Sequence, residues 1–164
     1  MSKTTITAPA GVPFVDIERE FDAPAALVHR AYLDPELVTQ WLGPRKYEMV
    51  IERWEARAGG AYRYIHRDDA GNEFGFHGVF HSSDPDNMVQ TFEFEGMPGH
   101  VSLDRLELED IGGGRTRAHV HSVFQSLEDR DGMVQAGMGD GVNEGFDRLD
   151  ELLLKLKQPV GAAR

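Results

Sequence analysis

The sequence predicts an α+β protein in which an antiparallel sheet is closed by one long C-terminal helix. Three observations carry that prediction. Val15, Ile17, Arg19 and Phe21 alternate with Asp16, Glu18 and Glu20, the period of a half-buried strand. From Tyr47 to Gln125, five turn signals (Gly59-Gly60, Asp68 to Gly71, Asp84 to Asn87, Gly96 to Gly99 and Gly112 to Gly114) separate six runs of strand length. From Asp129 to Lys157, Met138, Val142, Phe146, Leu149, Leu152, Leu153 and Leu156 recur at helical spacing. The first strand and the six runs make a seven-stranded sheet.

The elements follow in order. Met1 to Gly11 is polar and ends in a Pro/Gly-rich stretch, which reads as a loose tail. After the strand Phe14–Phe21, Asp22 stands two residues before Pro24 and is expected to cap a helix with the stripe Leu27, Val28, Ala31 and Tyr32. Asp34-Pro35 repeats the signal for a second short helix with Leu37, Val38, Trp41 and Leu42, which Gly43-Pro44 ends. In the six runs, Tyr62, Tyr64 and His66 share one face, as do Phe74, Phe76, Gly78 and Phe80, and Phe92 with Phe94. Thr116, Ala118, Val120, Ser122 and Phe124 share another, and its small members leave room. The alternation breaks in Met49–Glu55 and Val101–Ile111, where a bulge or curvature is expected. The last segment carries Gly132, Gly137, Gly139, Gly141 and Gly145, each costing a helix interior up to about 1 kcal/mol against alanine. Either the helix starts later than Asp129, or the glycines allow close packing on the sheet, or they leave space for a ligand. Pro159 and Gly161 end the helix and open a second tail.

Composition bounds the function. The 164 residues suit one domain, 12–157, between tails at 1–11 and 158–164. Seventeen basic against 28 acidic residues give a net charge of −11, which disfavours nucleic acid and anionic lipid as partners. With no cysteine there is no disulfide, thiol nucleophile or cysteine–metal site. No apolar run approaches the roughly 20 residues of a membrane span, and no basic-then-apolar leader opens the chain; the expected location is cytoplasmic.

Five stretches then carry a resemblance: "EFDAPAALVHRAYLDPELVTQWLGP" (Glu20 to Pro44), "RAGGAYRY" (Arg57 to Tyr64), "FHGVF" (Phe76 to Phe80), "GGGRTRAHV" (Gly112 to Val120) and "GVNEGFDRLDELL" (Gly141 to Leu153). In this order they resemble the bacterial branch of the SRPBCC (START-like) superfamily named for activators of the heat-shock chaperone ATPase. The resemblance spans Phe14 to Leu156 and implies the helix-grip fold: a curved sheet around a long C-terminal helix, with two short helices after the first strand and a cavity between sheet and helix. It also implies hydrophobic-ligand binding, including lipids, or a stress-response role, but no shared catalytic motif. Where the family usually has a second aromatic this chain has Leu42, and where it usually has a tryptophan it has Val142, changes that enlarge or reshape a pocket.

The candidate residues follow from the faces. Tyr62, Tyr64, Phe76, Phe80, Phe92 and Phe94 are expected to line one wall, with Met138, Val142 and Phe146 opposite, around a small hydrophobic molecule, and His66, Trp41 and Val120 are further candidate ligand-binding residues. Arg19, on the apolar face of its strand, either forms a structural ion pair with an inward carboxylate such as Glu52 or Asp104, or holds a ligand carboxylate or phosphate. Tyr62 and Tyr64 read equally as core tyrosines and as polar handles of a pocket. His77 with His81, and His119 with His121, oppose the apolar sets and are expected at the surface rather than on a metal. No zinc-protease, nucleophile-elbow or phosphate-loop motif is present, and "GMGDGVNEG" does not follow a strand as a dinucleotide fingerprint requires; no cofactor or catalytic residue is assigned. Three functions remain: binding of a small hydrophobic molecule by a monomer or homodimer, a cyclase- or hydrolase-like enzyme, and a module that contacts a chaperone. An ionisable side chain deep in the cavity without a neutralising partner would favour the enzyme; an exposed apolar patch would favour the chaperone.

Overall fold

The computed structural model describes residues 4–158. Strand β1 (Thr5–Thr7) precedes β2 (Phe14–Phe21), followed by helices α1 (Ala25–Leu33) and α2 (Pro35–Val38). Strands β3 (Glu48–Trp54), β4 (Ala61–Arg67), β5 (Glu73–Asp84), β6 (Asn87–Phe94), β7 (Val101–Gly112) and β8 (Arg115–Val123) come next, then α3 (Leu127–Gln135) and α4 (Met138–Lys157). All strands join one antiparallel sheet in the order β1-β2-β8-β7-β6-β5-β4-β3. Hairpins link neighbours from β3 to β8, and β2 closes onto β8, so the middle strands face the helices.

The sheet has eight strands, not seven. The extra strand is β1, inside the segment expected to be a loose tail, where Thr5 pairs with Glu18 and Thr7 with Asp16. Asp22 does not cap α1: the N-cap is Pro24, and Asp22 instead faces Lys157 of α4, 3.5 Å away. Asp34 caps α2 as expected, its side chain accepting from the Glu36 N–H. Both expected irregularities occur, between Ile51 and Arg53 in β3 and between Asp110 and Gly112 in β7. A third interrupts β5 between Phe80 and Ser82, where the sequence alternates without a break.

The C-terminal helical run is two helices. Ser126 caps α3, accepting from the Asp129 N–H, and the chain turns at Gly137, whose φ of 91° suits glycine and strains other residues. On α4, Phe146, Leu149, Leu152 and Leu153 are buried, each contributing about 1.5–3 kcal/mol by transfer from water. Gly145 gives the close-packing reading: a Cβ there would stand 3.2 Å from the Gly43 nitrogen and 3.3 Å from the Trp41 carbonyl oxygen. The partner is the α2–β3 loop rather than the sheet. Two indoles fasten α1, Trp41 donating to the Ala31 carbonyl at 2.9 Å and Trp54 to that of Leu33 at 2.7 Å. These are last-turn carbonyls that the helix itself leaves unpaired.

Candidate functional site

The concave face of the sheet carries a run of rings. Tyr64 packs on Phe76 at 5.2 Å between centroids, and Phe76 on Phe92 at 5.4 Å, all nearly parallel. His66 closes one end against Tyr64 and Tyr47, and Phe94 touches Phe76 at 5.2 Å. Phe80 sits beneath Tyr62 and Trp54. Met138 and Val142 of α4 and Met133 of α3 pack on the core. Phe76, Phe92, Val120, Met138 and Val142 are only half-buried.

Among these rings lies a polar floor. Tyr62 reaches across Gly78, donating its hydroxyl to the Thr91 carbonyl at 2.6 Å and accepting from the Gln90 amide at 3.2 Å. Gly78 makes this possible, since a Cβ there would stand 2.7 Å from the Tyr62 oxygen. Gln90 pairs in register with Asp104, and Asp104 with Ser122 on the next strand. Ser102 donates to the Asp104 carboxyl at 3.1 Å. Burial pushes that carboxyl up to about 6, against the hydrogen bonds from Ser122 and Ser102, and no cation among the described residues offsets it. Asp104 itself is half-buried, with both serine hydroxyls on its carboxyl.

His66 is neutral at ordinary pH: burial pushes it down to about 4, opposed by a hydrogen bond at the Leu42 backbone. Its Nε2 has no partner among the described residues, and its ring fills the space beside Gly43, where a Cβ would stand 2.5 Å from Cε1. Burial also pushes the Tyr62 and Tyr64 hydroxyls above their ordinary range, so both remain protonated.

Arg19 lies at the other end of the face, 2% exposed. It pairs with Asp150 and, at 2.9 Å, with Asp147, both on α4, and donates to Thr4 at 2.9 Å. The Phe21 and Phe146 rings flank its guanidinium. The ion pair expected for Arg19 exists, but Glu52 and Asp104 are not its partners: Glu52 pairs with Arg63 on the outer face. Burial pushes Asp150's carboxyl above its ordinary value while Arg19 pulls it back. Trp41 and Phe146 belong to this end, stacked at 6.3 Å, with Tyr32 against Trp41 at 4.8 Å.

Ten of the thirteen expected site residues thus fall into two groups. Tyr62, Tyr64, His66, Phe76, Phe80, Phe92 and Phe94 share one wall, and Arg19, Trp41 and Phe146 form a separate packed cluster. The room expected among Ala118, Ser122, Gly141 and Val142 is narrower, because Ala118 and Ser122 are buried and Gly141 abuts Pro44. Two open clefts flank the face, and of its rings only Tyr62 lines either one. One of about 840 Å³ passes Arg19, Glu20, Arg117 and Asp150; the other, of about 540 Å³, crosses the outer side of β3 to β6 and touches only the edge of Tyr62's wall. On the outer face His119 and His121 both bind Asp16, at 2.9 and 2.8 Å, and His77 binds Glu95 at 2.9 Å. Asp104, Gln90 and Ser102 were not among the expected site residues.

Against known proteins, the model of one family, described as "Activator of Hsp90 ATPase homolog 1-like protein", matches residues 22–154. The chain belongs to that family. This Hsp90-ATPase-activator-like, SRPBCC membership agrees with its structural neighbours. A protein of Arthrobacter aurescens is 25% identical with a TM-score of 0.84, over 92% of this chain and 91% of that one. A Rhodobacter sphaeroides protein is 23% identical with a TM-score of 0.85, over 93% and 99%. CalU16 of Micromonospora echinospora is 22% identical with a TM-score of 0.62, over 93% and 86%. No curated protein matches the chain. The family's fold is known for ligand binding, and no helix among the described residues is long and apolar enough to cross a membrane.

Proposed function

We propose that this chain is a small-molecule binding domain that holds an apolar ligand between the concave face and the start of α4. Tyr62, Tyr64, His66, Phe76, Phe80, Phe92, Phe94 and Val120 form the wall; Met138 and Val142 form the cover; Trp41, Phe146 and Arg19 clamp α4 to the sheet. The observation that supports this reading is that Phe76, Phe92, Val120, Met138 and Val142 stay half-buried while packing on the core, where a filled core would bury them. Val142→Trp tests it in a thermal melt and an apolar-dye titration. The indole should fill the hollow, abolishing dye uptake while stability holds or rises at roughly 25 cal/mol per Å² of added apolar burial. A variant destabilised by about 1–3 kcal/mol, as overpacking costs, that binds dye like the parent would contradict the reading.

A second reading, a cyclase- or hydrolase-like enzyme in the same face, draws support from Asp104: an inward carboxyl pushed up to about 6 with no cation beside it is suited to general-base work near neutrality. The chaperone-contact reading has less support. Of the exposed large apolar side chains, Val79, Met97, Leu103, Leu127, Val134 and Leu154, only Leu127 and Val134 share an element, α3.

A further inference from the structure

We infer that the ligand of the concave face is an apolar amine, its ammonium paired with the Asp104 carboxylate and its hydrocarbon laid along Tyr64, Phe76 and Phe92. This rests on the reading of that face as a ligand site and adds the chemistry of what it takes.

Among the described residues, Asp104 is the concave-face carboxylate with no cation paired to it. Arg19, the guanidinium on the same face, is occupied by Asp147 and Asp150, and His66 is uncharged. The two serine hydroxyls supply hydrogen bonds to the carboxyl but no positive charge. A carboxylate held this way among rings is costly until a cation joins it.

The surroundings select the kind of cation. Phe92 pairs in register with Ser102, whose hydroxyl donates to Asp104, so the parallel rings of Tyr64, Phe76 and Phe92 lead up to the carboxyl. Ring faces attract an ammonium and also bury hydrocarbon. A metal ion would find too few oxygen ligands here, and a carboxylic acid would set like charges together. A neutral alcohol could hydrogen-bond but would leave the buried charge unbalanced. An amine with an apolar body meets each requirement.

The test uses three probes of one skeleton, 1-naphthylmethylamine, 1-naphthylmethanol and 1-naphthoic acid, titrated calorimetrically into the full chain and into Asp104→Asn at pH 7.5. The amine should bind about tenfold or more tighter than the alcohol, as a charge-assisted bond requires, and the acid most weakly. In Asp104→Asn amine and alcohol should bind within about twofold of each other. Between pH 7.5 and 5 the amine's advantage should fall as Asp104 takes up its proton. The groups bearing on this carboxyl (Ser102, Ser122, Tyr62 and Tyr64) and Gln90 beside it are uncharged throughout that range, as is Tyr32 on α1, the helix packed on β7. An alcohol or acid that binds as tightly as the amine, or an amine preference that survives Asp104→Asn, overturns the inference and leaves the ligand site standing. If none of the three probes binds, the ligand site falls with it.

Discussion

Two charges on the concave face, one strand to either side of β8, are treated in opposite ways. Arg19 of β2 stands opposite Ala118, and Asp104 of β7 opposite Ser122, four residues apart along β8 and so roughly 13 Å. Arg19 has two carboxylates, a threonine hydroxyl and two flanking rings. Asp104 has serine hydroxyls and no counter-ion among the described residues. The first arrangement closes the fold by locking α4 to β2. The second works against the fold, since it holds a desolvated charge without return. What distinguishes a binding residue from a structural one here is what the chain leaves uncompensated.

The largest test of this contrast is Arg19→Met. It leaves Asp147 and Asp150 without their cation and loosens the contact between Phe21 and Phe146. Because both carboxylates keep part of their surface in water, the cost should sit at the low end for a broken buried pair, about 3 kcal/mol, and lower the melting midpoint by roughly 6–12 °C. Binding of an apolar dye by the folded variant should be unchanged. A variant that melts like the parent but loses dye binding would move Arg19 from the structural end of the face to the ligand end.

Asp104→Asn should act in the opposite direction. In the folded chain this carboxyl sits at about 6 against an ordinary 3.8, so the folded state holds its proton more tightly than the unfolded one. Stability therefore falls as pH rises from about 4 to 6, by at most roughly 3 kcal/mol, and the full cost is present above pH 6. Denaturant unfolding should show the variant about 1–3 kcal/mol more stable than the parent at pH 7.5 and no different near pH 3.5. His66 has the reverse dependence: pushed from 6.5 to about 4, it contributes stability above pH 6.5 that is lost as pH falls towards 4. The parent should thus be flatter between pH 4 and 6 than Asp104→Asn, in which the His66 loss is unopposed. A stability difference that does not change with pH would contradict the contrast.

The aromatic wall was legible in the sequence because strand alternation assigns each ring to a face, and β4, β5 and β6 alternate cleanly through it. Asp104 was legible as an inward carboxylate but not as part of that wall, because Ser102 and Asp104 are polar in the inward positions of β7 while Leu103 points outward, so the pattern inverts halfway along the strand. Its environment comes from β6 and β8, which no local pattern reports. The partners of Arg19 were hidden for a related reason: Asp147 and Asp150 look like the solvated side of a helix until α4 is laid on β2. Strand β1 escaped because three residues, Thr5–Thr7, acquire their character only by pairing with β2. The division of the last helix at Gly137 was present in the excess of glycines, but their number gave no sign which one turns the chain. Asp22-Pro24 misled because a proline can precede a helix as its cap as well as enter it.

The most direct test of the uncompensated carboxyl is a carbon-13 titration of the side-chain carboxyl signals, with Asp104 assigned by its absence in Asp104→Asn. The account predicts an inflection near pH 6 for Asp104 in the ligand-free chain, moving down by at least about one unit when 1-naphthylmethylamine saturates the protein, because a bound ammonium favours the charged form. An inflection at or below about 4 in the ligand-free chain, the range of an ordinary aspartate, would contradict it.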